Sequence, residues 1–469
     1  MLQLPNERPE VPVLKERRLP NGLRWFFRED RTLPRVDAVI MLRAGSIADP
    51  ENLEGLAEWT GESLRAGGTK TLNPEEFDRQ LESLGSSLGV GVSRDAARLQ
   101  LFSLSAYAAT SIELMADLVR NPRFDPVSAQ VRLGLLRDGI LRQDDDPTEV
   151  ARRTFRRTLY GGSHPLARTA TTESLTRLTT DQLQAFHNTW YRPDLAFLGI
   201  TGDISEEEAQ QLVEKHFGNW TAQSQTPWPI PPTQKDWDTT SGVVLLPKRI
   251  QQTQIRIGHM GLPRQHPNRY AVTLMNNVLG TGGFSSRLMD RVRSKKGLAY
   301  GAGGSITSDE PVGLFATGAA TQARTTLAAV REILAIIRET ATGDITKEEL
   351  DLARRDVVHS FLNGFGTPTA ILDASLNAAF LNEEPDFLSR FVERIEAVTL
   401  EEVNQAARTH LHPDRLKIVL VGFEAAFEKT LDEFGPVTRL ETDGTLAPPA
   451  RQPLPEARGP FLHEFHPHP

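Results

Sequence analysis

Three glutamates, Glu54, Glu58 and Glu62, recur four residues apart in the stretch EGLAEWTGESLRAGGT, an interval that lines their carboxylates along one face of a helix. Carboxylates so spaced are hard oxygen ligands of the kind a divalent cation takes, with Asp138 as a further acid on a later helix. Oxygen sites need several converging ligands and a charged helix face is ordinarily solvated, so a cation site and a plain polar face both stay open. The glycine-rich GTGG at 280–283 lacks the lysine and Ser/Thr of a phosphate-binding loop. His463, His466 and His468 sit in a proline-rich tail, where adventitious metal capture competes with an unstructured tail. With no cysteine in the chain, thiolate chemistry and a disulfide framework are excluded.

The elements that must position these groups belong to an ordinary globular chain of 469 residues, 24% charged and 39% hydrophobic. That length suits about two to four domains. A net charge of −8 and the lack of any lysine/arginine block argue against nucleic acid or an anionic membrane as partner. No apolar run approaches the ~20 residues that span a bilayer, and the amino terminus has no signal-peptide core. The expected location is cytoplasmic as the chain stands, or periplasmic if a leader has been removed.

Leu53, Leu56, Ala57, Thr60 and Leu64 recur at helical spacing and should form the buried stripe of the glutamate-bearing helix, which Gly67-Gly68 ends. LPNGLRWFFRED and VDAVIMLRAGS read as strands before it. NPEEFDRQLESLGSSL reads as a helix capped by its asparagine, and LGVGVSRDAARLQLFSLSA as a strand pair turning at Arg94-Asp95. Helices follow at SIELMADLVRNP, at VSAQVRLGLLRDGILRQDDDP and after Pro147. This order predicts a mixed α+β domain, not a βαβ array.

The closing segment of that domain occurs twice. VTLEEV at 398–403 answers LTTDQL at 178–183, Pro413-Asp414 answers Pro193-Asp194 and Gly422 answers Gly202, all at one offset of 220 residues. The pattern is an internal repeat. It predicts two homologous α/β domains, each a mostly antiparallel sheet packed with helices. The expected divisions are an arm at 1–17, a first domain at 18–220, a proline-rich linker at 221–240, a second domain at 241–435 and a proline-rich tail at 436–469.

RAGSIADP, AGGTKTLNPEEFDRQLESLG, YGGSHPLARTATTESLTRLT, YRPDLAFLGITGDI and GGFSSRLMDRVRSKKGLAYG, in that order, resemble the pitrilysin or insulinase family of inverzincin peptidases from about Leu19 to Phe434. In that family the first helix carries H-x-x-E-H: histidines four apart grip one zinc and the glutamate accepts a proton from the metal-bound water. In register, the histidines fall at Glu58 and Glu62 and the glutamate at Gly61, while the third ligand aligns with Gly139. The resemblance therefore implies a degenerate zinc site with no metal or cofactor in this chain.

The family also carries an arginine and, seven residues on, a tyrosine that reach a zinc site from the opposite half; Arg293 and Tyr300 have that spacing. Without the resemblance, the pair would read as a solvated helix end and a tyrosine in a sheet core. With it, the chain is similar to the non-zinc, Arg/Tyr-bearing subunit of a two-subunit bacterial member and to alpha-type subunits of mitochondrial processing peptidase. The implied architecture is half of a clamshell. The implied partner is a zinc-bearing H-x-x-E-H homologue, the implied substrates unfolded peptides, and zinc belongs to the partner. A silent scaffold subunit is the first alternative. A stand-alone peptidase with a carboxylate-held metal is the second, opposed by Gly61, which leaves no base. His164 reads as structural, and GTGG as a flexible chamber-lining loop.

Overall fold

The computed structural model describes residues 11–232, 240–307 and 312–447. The first half forms β1 (Glu16–Arg18), β2 (Arg24–Glu29), β3 (Arg35–Leu42), β4 (Ser87–Val92), β5 (Ala97–Leu104) and β6 (Ala196–Gly202). The second forms β7 (Gly242–Pro247), β8 (Gln252–Met260), β9 (Ala299–Ile306), β10 (Leu314–Gln322), β11 (Lys417–Gly422) and β12 (Val437–Arg439). The two six-stranded sheets run β1-β2-β6-β3-β5-β4 and β12-β7-β11-β8-β10-β9. Five strands of one correspond in order to five of the other, so the repeat read from the sequence is a repeat of topology. Pairing is antiparallel except for β2 with β6, β7 with β11 and β7 with β12.

Local signals account for much of this. β5 alternates buried and more exposed residues and turns one face to the core, whereas β6, AFLGITG, is buried throughout. A strand covered on both faces needs a second layer, and that layer comes from the other half of the chain. The Pro368–Phe380 helix lays Leu372, Leu376 and Phe380 against Phe26, Val39, Met41 and Phe197 of the first sheet. Reciprocally, the Pro147–Tyr160 helix lays Val150, Phe155 and Leu159 against Val244, Leu246, Val419 and Val421 of the second. Gly199 permits one of these approaches, since a Cβ there would stand 2.8 Å from Leu372. Arg98 and Asp373 pair across the same seam at 2.6 Å. Each half thus lends a helix to its neighbour, which no boundary drawn along the chain can express.

Both ends of the chain differ from expectation. The arm read at 1–17 ends in β1, antiparallel to β2, and the tail read from 436 begins with β12, parallel to β7. The tail then folds back so that Arg157 donates to the Asp443 carbonyl at 3.0 Å. Three-residue edge strands leave no alternation to read; the adjacent sheet edge supplies their hydrogen bonds. The rest of the arm at 1–10, the linker at 233–239 and the tail from 448, with His463, His466 and His468, lie outside the described residues. Among the described residues, no helix is long and apolar enough to cross a membrane.

Buried histidines set an acid limit on this fold. His187 Nε2 donates to the Val119 carbonyl (2.8 Å) and His259 Nδ1 to that of Met260 (2.7 Å), and burial pushes both down to about 4. A depressed histidine adds stability above its ordinary value near 6.5 and loses it as pH falls towards 4, at up to about 1.4 kcal/mol per pH unit. Asp49, pushed up to about 7 by burial, works in the opposite sense and offsets about one of the two. His216, His410 and His412 are also lowered by burial. Net destabilisation between pH 6.5 and 4.5 is expected; a thermal midpoint that stays level or rises over that range would contradict it.

Candidate functional site

The glutamate-bearing helix spans Leu56–Ala66. Its entry is fixed by Asp49, whose buried carboxylate accepts from the Gly55 and Ala57 amides at 2.8 and 2.7 Å, as an N-cap side chain would. Leu56, Ala57, Thr60 and Leu64 are buried, Leu53 is half-buried, and Trp59 anchors the Pro126–Arg142 helix by donating to the Ala129 carbonyl at 2.8 Å. The expected exit at Gly67-Gly68 is present, with Gly68 at φ 69°. The acidic ladder is shorter than its spacing suggests. Glu54 precedes the first helical turn and turns to Arg168 at 3.6 Å, leaving only Glu58 and Glu62 exposed on the helix. Arg132 approaches Glu62 at 3.8 Å, and burial together with Glu62 raises the Glu58 carboxyl.

These residues do not fit zinc. Two carboxylates stand at the positions that the resemblance assigns to imidazoles, and Gly139, at the position it assigns to the third ligand, has no side chain. The two glycines nevertheless differ in kind. A Cβ on Gly139 would meet nothing within 4 Å, so that position is merely vacant of a side chain. A Cβ on Gly61 would stand 2.4 Å from a Val92 methyl, 3.5 Å from Val90 and 3.8 Å from the Tyr191 hydroxyl. The space a base would use is occupied by β4. Tyr191 was not singled out from the sequence; its buried hydroxyl lacks a hydrogen-bond partner, its ring stacks on His187 at 4.9 Å, and burial pushes the phenol up. Among the described residues no group of three or more His, Asp or Glu is placed to hold a metal ion. Chelator-free protein is expected to contain far less than one zinc per chain by elemental analysis. About one tightly held zinc would contradict that.

The other candidate pair lies in the second half. A helix from Arg287 carries Arg293 in its last turn, with wide turns over Met289–Lys295 closed by bonds such as Lys296 N–H to the Arg291 carbonyl at 3.1 Å. Gly297, at φ 59°, ends it as expected, and Leu298 N–H reaches back to the Val292 carbonyl at 2.9 Å. This cap delivers Tyr300 as the second residue of edge strand β9. The Arg293 guanidinium then lies 5.0 Å from the Tyr300 ring and 4.8 Å from that of Phe284.

Tyr300 is 85% exposed and Phe284 71%, values unusual for large aromatic side chains. Neighbouring arginines are committed: Arg287 to Asp344 and Glu349, Arg291 to Glu332 and Glu339. Arg293 has no ion pair and the Tyr300 hydroxyl no hydrogen bond among the described residues. The family resemblance singled out Arg293 and Tyr300 but not Phe284, whose only signal is an aromatic directly after GTGG. That loop packs inward at its start, because a Cβ on Gly280 would strike the Gly304 backbone at 2.3 Å. His164 is structural, buried between the Pro232 carbonyl at 3.0 Å and the Leu166 amide at 3.2 Å.

The comparisons with known proteins decide the family. The description "Insulinase (Peptidase family M16)" matches residues 26–171, and "Peptidase M16 inactive domain" matches residues 177–357. The chain belongs to the M16 peptidase family. A relative named an uncharacterised zinc protease, from Mycobacterium bovis, is 25% identical over 431 residues, covering 89% of this chain and 96% of its own. A relative from Helicobacter pylori, 25% identical over 84% of this chain and 91% of its own, is named a non-peptidase homolog. The crystal structure of a peptidase M16 inactive domain from Pseudomonas fluorescens is 26% identical, with a TM-score of 0.79 over 87% of this chain and 98% of that one. A Helicobacter pylori protease structure, 19% identical over 88% of this chain and all of its own, shares the fold with a TM-score of 0.79. These findings and the altered helix accord with a catalytically inactive M16 chain of two α/β domains.

Proposed function

We propose that this chain is the non-zinc subunit of a two-subunit M16 metallopeptidase, closing a peptide-degrading chamber and presenting Arg293 and Tyr300 to the zinc site of its partner. The observation that carries the reading is the contrast between two places in one chain. In the register the resemblance gives, the first helix carries glutamates at 58 and 62 and a glycine at 61 whose side-chain space Val92 fills, while Arg293 and Tyr300 are held in a capped, defined geometry with neither an ion pair nor a phenol hydrogen bond among the described residues. An exposed phenol beside a half-buried guanidinium, the one without a hydrogen bond and the other without an ion pair among the described residues, suits a role across an interface. Zinc held by the partner would supply the activated water, and the Tyr300 hydroxyl would stabilise the oxyanion that amide hydrolysis develops on the scissile carbonyl, a charge absent from the ground state. A guanidinium offers several donors in one plane to peptide carbonyls.

The partner in this reading is a zinc-bearing homologue with intact H-x-x-E-H, and the substrates are unfolded peptides. Mixed at micromolar concentration, the two chains should co-elute on gel filtration and bury an obligate-type interface on the order of 2,000 Å² or more. Separate elution of both chains would contradict the pairing. A second reading, a catalytically silent scaffold, is favoured by the name of the Helicobacter pylori relative as a non-peptidase homolog. It makes the opposite prediction for Tyr300, developed in the Discussion.

A further inference from the structure

Beside Glu58 the first half encloses a cavity of about 300 Å³ into which five arginines converge: Arg94, Arg152, Arg153, Arg156 and Arg168. Four acids also line it, and three are already engaged. Glu149 is held by Arg152 one helical turn away, at 2.8 Å to Nε. Glu54 faces Arg168, and both oxygens of Asp49 are taken by backbone amides. Glu58, at the exposed rim, has neither an ion pair nor a hydrogen bond among the described residues.

The arginines retain donors. Arg153 pairs with Asp144, yet its Nε is buried without an acceptor. Arg168 gives one Nη to the Asp49 carbonyl at 2.9 Å, and its Nε is likewise buried without one. Arg152 gives Nε and one Nη to Glu149 and Arg153 gives one Nη to Asp144, so each keeps a second Nη for a ligand in the cavity.

The repeat supplies an internal control. Pro147 and Pro368 open equivalent helices, so Arg153 and Arg156 correspond to Ala374 and Asn377, which line a corresponding cavity of about 580 Å³ in the second half. That cavity is walled by Tyr270, Phe387, Leu388 and Phe391 and contains one internal ion pair, Arg269 with Glu383 at 2.6 Å. The fold therefore builds this cavity without needing a cluster of guanidinium groups in it; the cluster is particular to the first half.

We infer that the arginine-lined cavity binds the carboxylate of a peptide, either its C-terminus or an acidic side chain. Planar guanidinium groups match a carboxylate with two parallel donors, and a partly enclosed cavity screens the pair less than open solvent. The choice of a peptide over a free anion rests on the proposed function, in which this wall faces the substrate. The site would then hold a peptide by its negative end in the half that has lost its metal.

The test uses the isolated chain at low ionic strength and titration calorimetry with four probes. They are N-acetyl-Ala-Ala-Ala with a free C-terminus, N-acetyl-Ala-Ala-Glu-amide, N-acetyl-Ala-Ala-Gln-amide and inorganic phosphate. At least one carboxylate peptide should bind, the Gln amide should not, and Arg152→Gln/Arg153→Gln should weaken binding at least ~10-fold, about 1.4 kcal/mol. Should that variant melt early, Arg94→Gln, in the β4–β5 turn, serves in its place with the same expectation. Equal binding of the Gln amide, phosphate binding without either carboxylate peptide, no binding at all, or undiminished binding by a folded variant would each overturn the inference. The experiment contains no partner subunit and reads no hydrolysis, so its failure leaves the pairing with a zinc-bearing chain untouched, and failure of that pairing leaves a positive titration standing.

Discussion

Tyr300→Phe in the assembled pair is expected to lower the partner's turnover by ~100-fold or more while leaving assembly intact, the usual cost of losing one oxyanion donor. The side chain is 85% exposed and its hydroxyl has no partner within the described chain, so removing one oxygen disturbs nothing that holds this fold together. Arg293→Ala should weaken substrate capture as well as turnover, because a guanidinium gripping peptide carbonyls acts in the ground state too. It also removes the group between the Phe284 and Tyr300 rings, so some loss of tyrosine positioning should accompany it. A quenched peptide assay after gel filtration separates the two effects as changes in kcat and KM. A Tyr300→Phe complex that cleaves at the parental rate would make the chain a scaffold.

Restoring the metal should not restore a peptidase. The triple variant Glu58→His, Glu62→His, Gly139→Glu places its new side chains on an exposed helix face and in open space. It is expected to gain zinc binding with a dissociation constant of about 1 μM or tighter, some 8 kcal/mol. It should still cleave nothing alone, since no group at position 61 can take the proton from the bound water. Adding Gly61→Glu does not solve this, because its Cβ meets Val92 at 2.4 Å, an overpacking expected to cost about 1–3 kcal/mol. Val92→Ala should recover part of that loss. Zinc-free triple variant at 100 μM zinc would remove Gly139 from the ligand position, and a thermally unchanged Gly61→Glu would show that β4 yields freely.

What was legible in the sequence was what local chemistry determines. The Leu56–Ala66 helix, the hairpin turning at 93–96, the Asn73 cap with its reciprocal Glu76 bond and the Gly297 stop each follow from residues within a few positions of one another. The two-domain repeat was legible because its offset is constant. The exchange of helices was not, since an amphipathic pattern on Pro147–Tyr160 or Pro368–Phe380 says that an apolar face must be covered but not by which sheet. The same limit applied at the site. Gly61 announced a missing side chain, but its filling by Val92 joins residues 31 positions apart on different elements. The Tyr191 hydroxyl beside that position had no periodic or compositional signal at all.

The most direct test of the account is a mixing experiment with a zinc-bearing M16 chain carrying intact H-x-x-E-H from an adjacent reading frame. Peptide hydrolysis is measured for each chain alone and for the equimolar mixture, with elution positions recorded in parallel. The account predicts little or no cleavage by either chain alone, and strong chelator-sensitive cleavage by a co-eluting pair. A zinc-bearing chain fully active by itself and unchanged by this one, or cleavage by this chain alone, would contradict it.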